Sequence, residues 1–90
     1  MKIVWDEPKR RLNLATHGFD LADAELLDWD DVVVAPGYAA KDGRPRYRAI
    51  GQLGDELVTV VFSRLGTEAI AVISMRPASN AERKLRDEKT

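Results

Sequence analysis

The pattern of apolar and polar positions divides the chain into two halves with different periods. Lys2–Trp5 is short, apolar and β-branched, and predicts a strand. Asp6 then reads as a helix N-cap, with Pro8 in the first turn, where its missing N–H costs nothing. Apolar positions at Pro8, Leu12 and Ala15 give that helix a stripe, and Gly18 closes it after Thr16 or His17. Asp20 is a second N-cap, with Asp23 in capping-box position and Phe19 and Ala24 as a hydrophobic staple. This predicts a second helix ending near Trp29.

From Val32 the period changes to two. Val32-Val33-Val34 is a β-branched run stopped by Pro36-Gly37, and 36–45 reads as a loop. Arg46–Leu53 and Glu56–Arg64 flank Gly54-Asp55, a two-residue hairpin turn. That turn predicts opposed pairs Gly51/Val58, Ala49/Val60 and Tyr47/Phe62 on a core face. Arg46/Ser63, Arg48/Val61 and Ile50/Thr59 fall on the other face. Ala69–Met75 is a further strand, stopped by Pro77. Ser79 caps a last helix with Glu82 three residues on. The expected fold is α+β: one domain over 1–90, order β-α-α-β-β-β-β-α, an antiparallel sheet with its helices packed on one face.

Composition narrows the chemistry. The chain has 90 residues, 44% hydrophobic and 32% charged, which suits one small folded domain. No apolar run approaches a membrane span, and no signal peptide is legible at the N-terminus, so a cytoplasmic protein without a membrane partner is expected. With no cysteine and a single histidine, a thiolate or histidine-rich metal site is not expected, and no cofactor is implied. The net charge of −1 hides a split. Six acids lie within 20–31 with no base among them, and setting them aside leaves the remainder at +5. Lys41, Arg44, Arg46 and Arg48 form one basic group, and Arg83, Lys84, Arg86 and Lys89 another. A two-faced surface follows.

Certain ordered residues resemble the BrnT family. Trp5-Asp6, Lys9, Asn13 and His17-Gly18-Phe19 are similar to its N-terminal signature. Arg46-Tyr47 with Ala49-Ile50-Gly51, and then Val60-Val61-Phe62, resemble its central strands. Ile73-Ser74-Met75-Arg76-Pro77-Ala78-Ser79 followed by Glu82-Arg83 resembles its C-terminal motif. The resemblance implies a RelE-like toxin of a type II toxin–antitoxin module. Such a toxin cleaves RNA, stops translation and is neutralised by a BrnA-type ribbon-helix-helix antitoxin. The ribosome stays open as a further partner. Thr16 stands where the family commonly has lysine, Arg44-Pro45 where it often has an acidic pair, Ala71 where it often has arginine, and Arg86 where it usually has tyrosine. These departures keep a second reading alive: a binding module that engages antitoxin or nucleic acid without cutting.

Metal-free RNA cleavage needs a proton acceptor and donor, plus fixed positive groups for the phosphate oxygens. Arg46, Arg64 and Arg76 stand on or beside the three C-terminal strands and suit the last role. Arg64 is in phase with the core set but sits at a strand end, so its direction is open. His17 suits proton transfer near neutrality. It shares a helix stripe with Lys9 and Asn13, expected to face RNA. Glu82 reads either as the capping-box partner of Ser79 or as a general base. Arg48 on the polar strand face, with Arg83 and Arg86 on the last helix, are further candidates for RNA contact. Ser63, Ser74 and Thr59 have no nucleophile context. Trp5 and Trp29 are expected in the core, and Tyr47 inward.

Overall fold

The computed structural model describes residues 1–89. Its elements run β1 (Lys2–Trp5), α1 (Glu7–His17), a 3₁₀ helix (Leu21–Leu26), β2 (Val33–Pro36), β3 (Tyr47–Leu53), β4 (Glu56–Leu65), β5 (Ala69–Pro77) and α2 (Asn80–Lys89). The five strands form one sheet in the order β1-β5-β4-β3-β2. Three junctions are antiparallel, but β1 pairs with β5 in parallel, so the sheet is mixed rather than purely antiparallel.

The hairpin register is the one the turn predicts. Tyr47 opposes Phe62, Ala49 opposes Val60 and Gly51 opposes Val58. These residues, with Ile70, Val72 and Met75, face Leu21, Ala24 and Leu27 in a single core. Three-residue spacing explains why this segment is a 3₁₀ helix and not the expected α-helix. With three residues per turn, positions three apart eclipse, so Leu21 and Ala24 stack on one side, and the extended cap residue Leu27 follows them into the core. Asp20 caps it, its carboxylate accepting from Ala22 N at 3.0 Å. The close approach also needs Gly51. A Cβ there would lie 2.8 Å from Val32 Cγ1 and 2.9 Å from Leu27 Cδ2. Trp29 closes the layer edge-on to Phe62, with ring centroids 5.7 Å apart.

The helices do not share one face. The 3₁₀ helix covers the core face of the sheet. By strand alternation Arg48, Ile50, Thr59 and Val61 point to the opposite face, and α2 is tied to that face through Glu82 and Arg86. Helix α1 lies beside β5. The Asp6 cap, accepting from Lys9 N at 3.2 Å, and the left-handed Gly18 (φ 78°) bound it where expected. The buried stripe is not the expected one, however. Leu12 is 68% exposed and Ala15 is exposed, whereas Asn13 is only 5% exposed. Asn13 is drawn in by a backbone need. Strand β1 ends opposite Val72, so the outer edge of β5 lacks a partner further along. There the Asn13 amide donates to Met75 O at 2.9 Å and its oxygen accepts from Met75 N at 3.1 Å. One side chain thus does a strand's work, and an unpaired buried backbone pair would cost more than burying Leu12 would gain.

Strand β5 carries one irregularity. Val61 pairs with Ser74 but Phe62 pairs with Val72, leaving Ile73 as an extra residue. This β-bulge reverses the phase of everything beyond it. Val72 faces the core on one side of the bulge and Met75 does so on the other, and Arg76 is sent to the opposite face.

Candidate functional site

The face away from the core carries a cleft of about 730 Å³. Its floor is Val61, Ile73 and Ser74, and its walls carry Arg46, Arg48, Arg76, Ser79 and Glu82. A second depression of about 360 Å³ adjoins it, sharing Arg46, Ile73 and Ser74 and reaching Lys9, Thr16 and His17 on α1. One groove therefore runs from the end of α1 to the start of α2, with Arg46 at its middle.

Glu82 organises the α2 end. The predicted capping box forms: Ser79 N donates to Glu82 Oε1 at 2.8 Å, and Glu82 N donates to Ser79 Oγ at 3.2 Å. The same carboxylate takes a two-pronged contact from Arg76, at 2.6 Å and 3.0 Å, and a third guanidinium bond from Arg48 at 3.0 Å. Glu82 is 1% exposed. Burial alone pushes its carboxyl pKa up. The Arg76, Ser79 and Arg48 hydrogen bonds outweigh this and hold it well below the usual carboxylate range. Thr59 Oγ1 is buried beside it, outside hydrogen-bond geometry, yet adds to the same lowering. The reciprocal effect raises the Arg76 pKa, chiefly through its bond to Glu82. Of the two sequence readings of Glu82, the capping geometry is present, and both carboxylate oxygens are engaged. The carboxylate fixes the direction of two arginines.

Arg46 is different. It lies just before β3, half-buried, where Gly37 N donates to its carbonyl at 2.8 Å. Its Nε is buried without a partner, and among the described residues it has no carboxylate within ion-pair distance. Among the described residues, it is the groove arginine that no ion pair holds.

The other predicted residues divide. Lys9 and His17 are exposed and line the groove. Asn13 shares that wall, but its amide N–H groups are spent on Phe19 O and Met75 O. Arg64 is not brought to the groove. It projects over the Tyr47 ring, 5.1 Å from its centroid, on the core side of the sheet. Arg86 is also elsewhere. It clamps α2 to the sheet by donating to Asp31 Oδ2 at 2.7 Å and to Ile50 O at 3.3 Å. Arg83 is exposed on α2 outside the groove lining. Sequence reasoning did not single out Tyr38, which also lines the cleft. A large aromatic residue inside a Pro/Gly-rich loop, outside any apolar period, was the available signal. No three His, Cys, Asp or Glu side chains among the described residues could hold a metal ion. Among the described residues no helix is long and apolar enough to cross a membrane.

The chain is a small mixed-sheet α+β domain with an arginine-lined, solvent-open groove, and comparisons with known proteins place it in a family. A family model described as the ribonuclease toxin BrnT of type II toxin–antitoxin systems matches residues 5–82. The crystal structure of the Brucella abortus ribonuclease toxin BrnT superposes with a TM-score of 0.71 at 44% identity, covering 89% of this chain and 99% of that one. No significant match is found among curated protein sequences. The chain belongs to the BrnT family of ribonuclease toxins.

Proposed function

We propose that the groove is a metal-independent endoribonuclease site, and that the fold is a RelE-like toxin acting on cytoplasmic RNA to stop translation. The observation that carries this is the convergence of Arg46, Arg48 and Arg76 on one cleft that continues to His17. In this reading the RNA 2′-OH attacks the adjacent phosphorus and the 5′-oxygen leaves. His17 takes or supplies one of the two protons. Arg46 and Arg76 carry the charge that builds on the phosphate oxygens. Glu82 keeps Arg48 and Arg76 aimed. A BrnA-type ribbon-helix-helix antitoxin would silence the toxin by covering the groove and the exposed Leu12 that lines it.

Induced expression in a bacterial host tests the reading. Wild type should arrest growth and degrade RNA, and His17→Ala and Arg46→Ala, confirmed folded, should not. Cleavage by purified protein should persist in a chelator. Folded wild type that neither arrests growth nor cuts RNA would overturn it. A second reading, binding without cleavage, is favoured by Thr16, which lines the groove where the family commonly has lysine. Ala71, which pairs with Ser63 within the sheet, and Arg86, which clamps α2, lie outside the groove and do not bear on it.

A further inference from the structure

Tyr38 is 95% exposed, a rare state for a tyrosine in a folded domain. Its neighbour Tyr47 shows the ordinary alternative: tilted against Phe62 at 5.6 Å and covered by Arg64. Among the described residues Tyr38 has no such ring partner, yet its position is not arbitrary. The loop carrying it is pinned. Gly37 N donates to Arg46 O at 2.8 Å, Ala40 N donates to Arg44 O at 2.9 Å, and Arg48 Nε donates to Pro36 O at 2.9 Å. A side chain at Gly37 would bring a Cβ within 3.2 Å of Arg46 O, so glycine permits this close neck. The ring therefore stands at the rim of the cleft, one residue from the backbone bond that fixes Arg46, with Arg48 and Arg76 lining the same cavity.

An exposed aromatic face beside converging guanidinium groups has a specific chemical fit. The cations take phosphates, and the ring takes the flat face of a base that is not paired. Resting on the nucleic-acid reading above, we propose that Tyr38 is a stacking platform for one unpaired base next to the phosphate held by Arg46. The site therefore selects single-stranded over duplex RNA. The platform reads the base and not the backbone charge.

Binding, with no cutting required, tests this. The probes are a fully 2′-O-methylated hexanucleotide of mixed sequence, its counterpart with abasic residues, and a duplex of the first. Tyr38→Ala should weaken binding of the single strand about tenfold. It should leave abasic and duplex binding within twofold, with an unchanged salt slope, because no phosphate contact is lost. Tyr38→Phe and Tyr38→Trp should restore affinity. Unchanged melting temperatures check the loop, and an exposed ring makes that the expected result. If wild type binds the single strand and Tyr38→Ala binds it equally well, the platform is refuted while the groove stands. Equal loss on the base-bearing and abasic probes would also refute it. If wild type binds none of the probes, the nucleic-acid reading itself falls, and the platform with it.

Discussion

On one face of the sheet, Val58, Val60, Phe62, Val72 and Met75 meet Leu21, Ala24 and Leu27 in an apolar layer. On the other, Thr59 and Glu82 are as fully buried as Leu21, but among guanidinium groups. Both faces bury side chains, for opposite reasons, although the second also carries the open cleft. The first gains by removing apolar area from water. The second keeps a charge buried only because three donors around it are held in place. Burial alone therefore says nothing about role. What distinguishes the faces is whether a side chain could be exchanged for another of equal volume. Phe62 could be, within limits. Glu82 could not.

The largest effect that would break this contrast lies on the apolar face. Phe62→Ala should cost about 3–5 kcal/mol, a fall in melting temperature of roughly 12–40 °C for a domain of this size. Any loss of function should follow unfolding and return on cooling. On the charged face, Arg46→Ala should do the reverse. RNA cleavage should fall about 100-fold or more, while the melting temperature stays within roughly 2 °C, because among the described residues the Arg46 side chain has no carboxylate partner to orphan. A parallel drop in stability would show that Arg46 belongs to the framework instead.

Glu82→Gln sits between these. Removing the charge leaves Arg48 and Arg76 facing each other, and about 2–4 kcal/mol of stability should be lost at pH 7. The pH dependence has a definite sign. The folded carboxyl titrates below its ordinary value of 4.5, so its stabilisation is complete above that value and fades as pH falls beneath it. Denaturant melts at pH 7 and pH 3 should show the gap between wild type and Glu82→Gln narrowing in acid. A gap that widens would contradict the arginine-held carboxylate. The smallest effect is expected at Arg64. Its contact with Tyr47 is exposed, so Arg64→Ala should cost about 0.5–1 kcal/mol and leave cleavage within twofold. A large cleavage defect there would bring Arg64 into the site.

How much was legible follows the same division. The hairpin pairs from Tyr47/Phe62 to Gly51/Val58 could be read because period-two alternation and a Gly-Asp turn fix the register together. The caps Asp6, Gly18 and Ser79 are local signals and appear as local structure. The parallel seating of β1 was not legible, since a four-residue strand with three apolar side chains carries no direction. Nor was the inward turn of Asn13, which answers a backbone vacancy created 62 positions away at Met75. On the site side, Arg46, Arg76 and His17 were named, but a sequence cannot say that the Ile73 bulge sends Arg76 outward. Arg64 and Arg86 have the same chemistry as Arg46. Only the tertiary arrangement assigns them to a ring and a clamp.

That bulge constrains how the gene can change. Ile73 is a single supernumerary residue between two demands: a methionine that must reach the core and an arginine that must reach the groove. Deleting one codon there would exchange their destinations, burying a guanidinium and exposing a thioether. Adding one would do the same. The segment from Val72 to Arg76 therefore tolerates substitution but not a change of length. The 37–46 loop, which lies outside the strands, can lengthen or shorten without altering the phase of any strand. Insertion around Tyr38 would reshape the rim of the cleft, while the strand that aims Arg76 keeps its count.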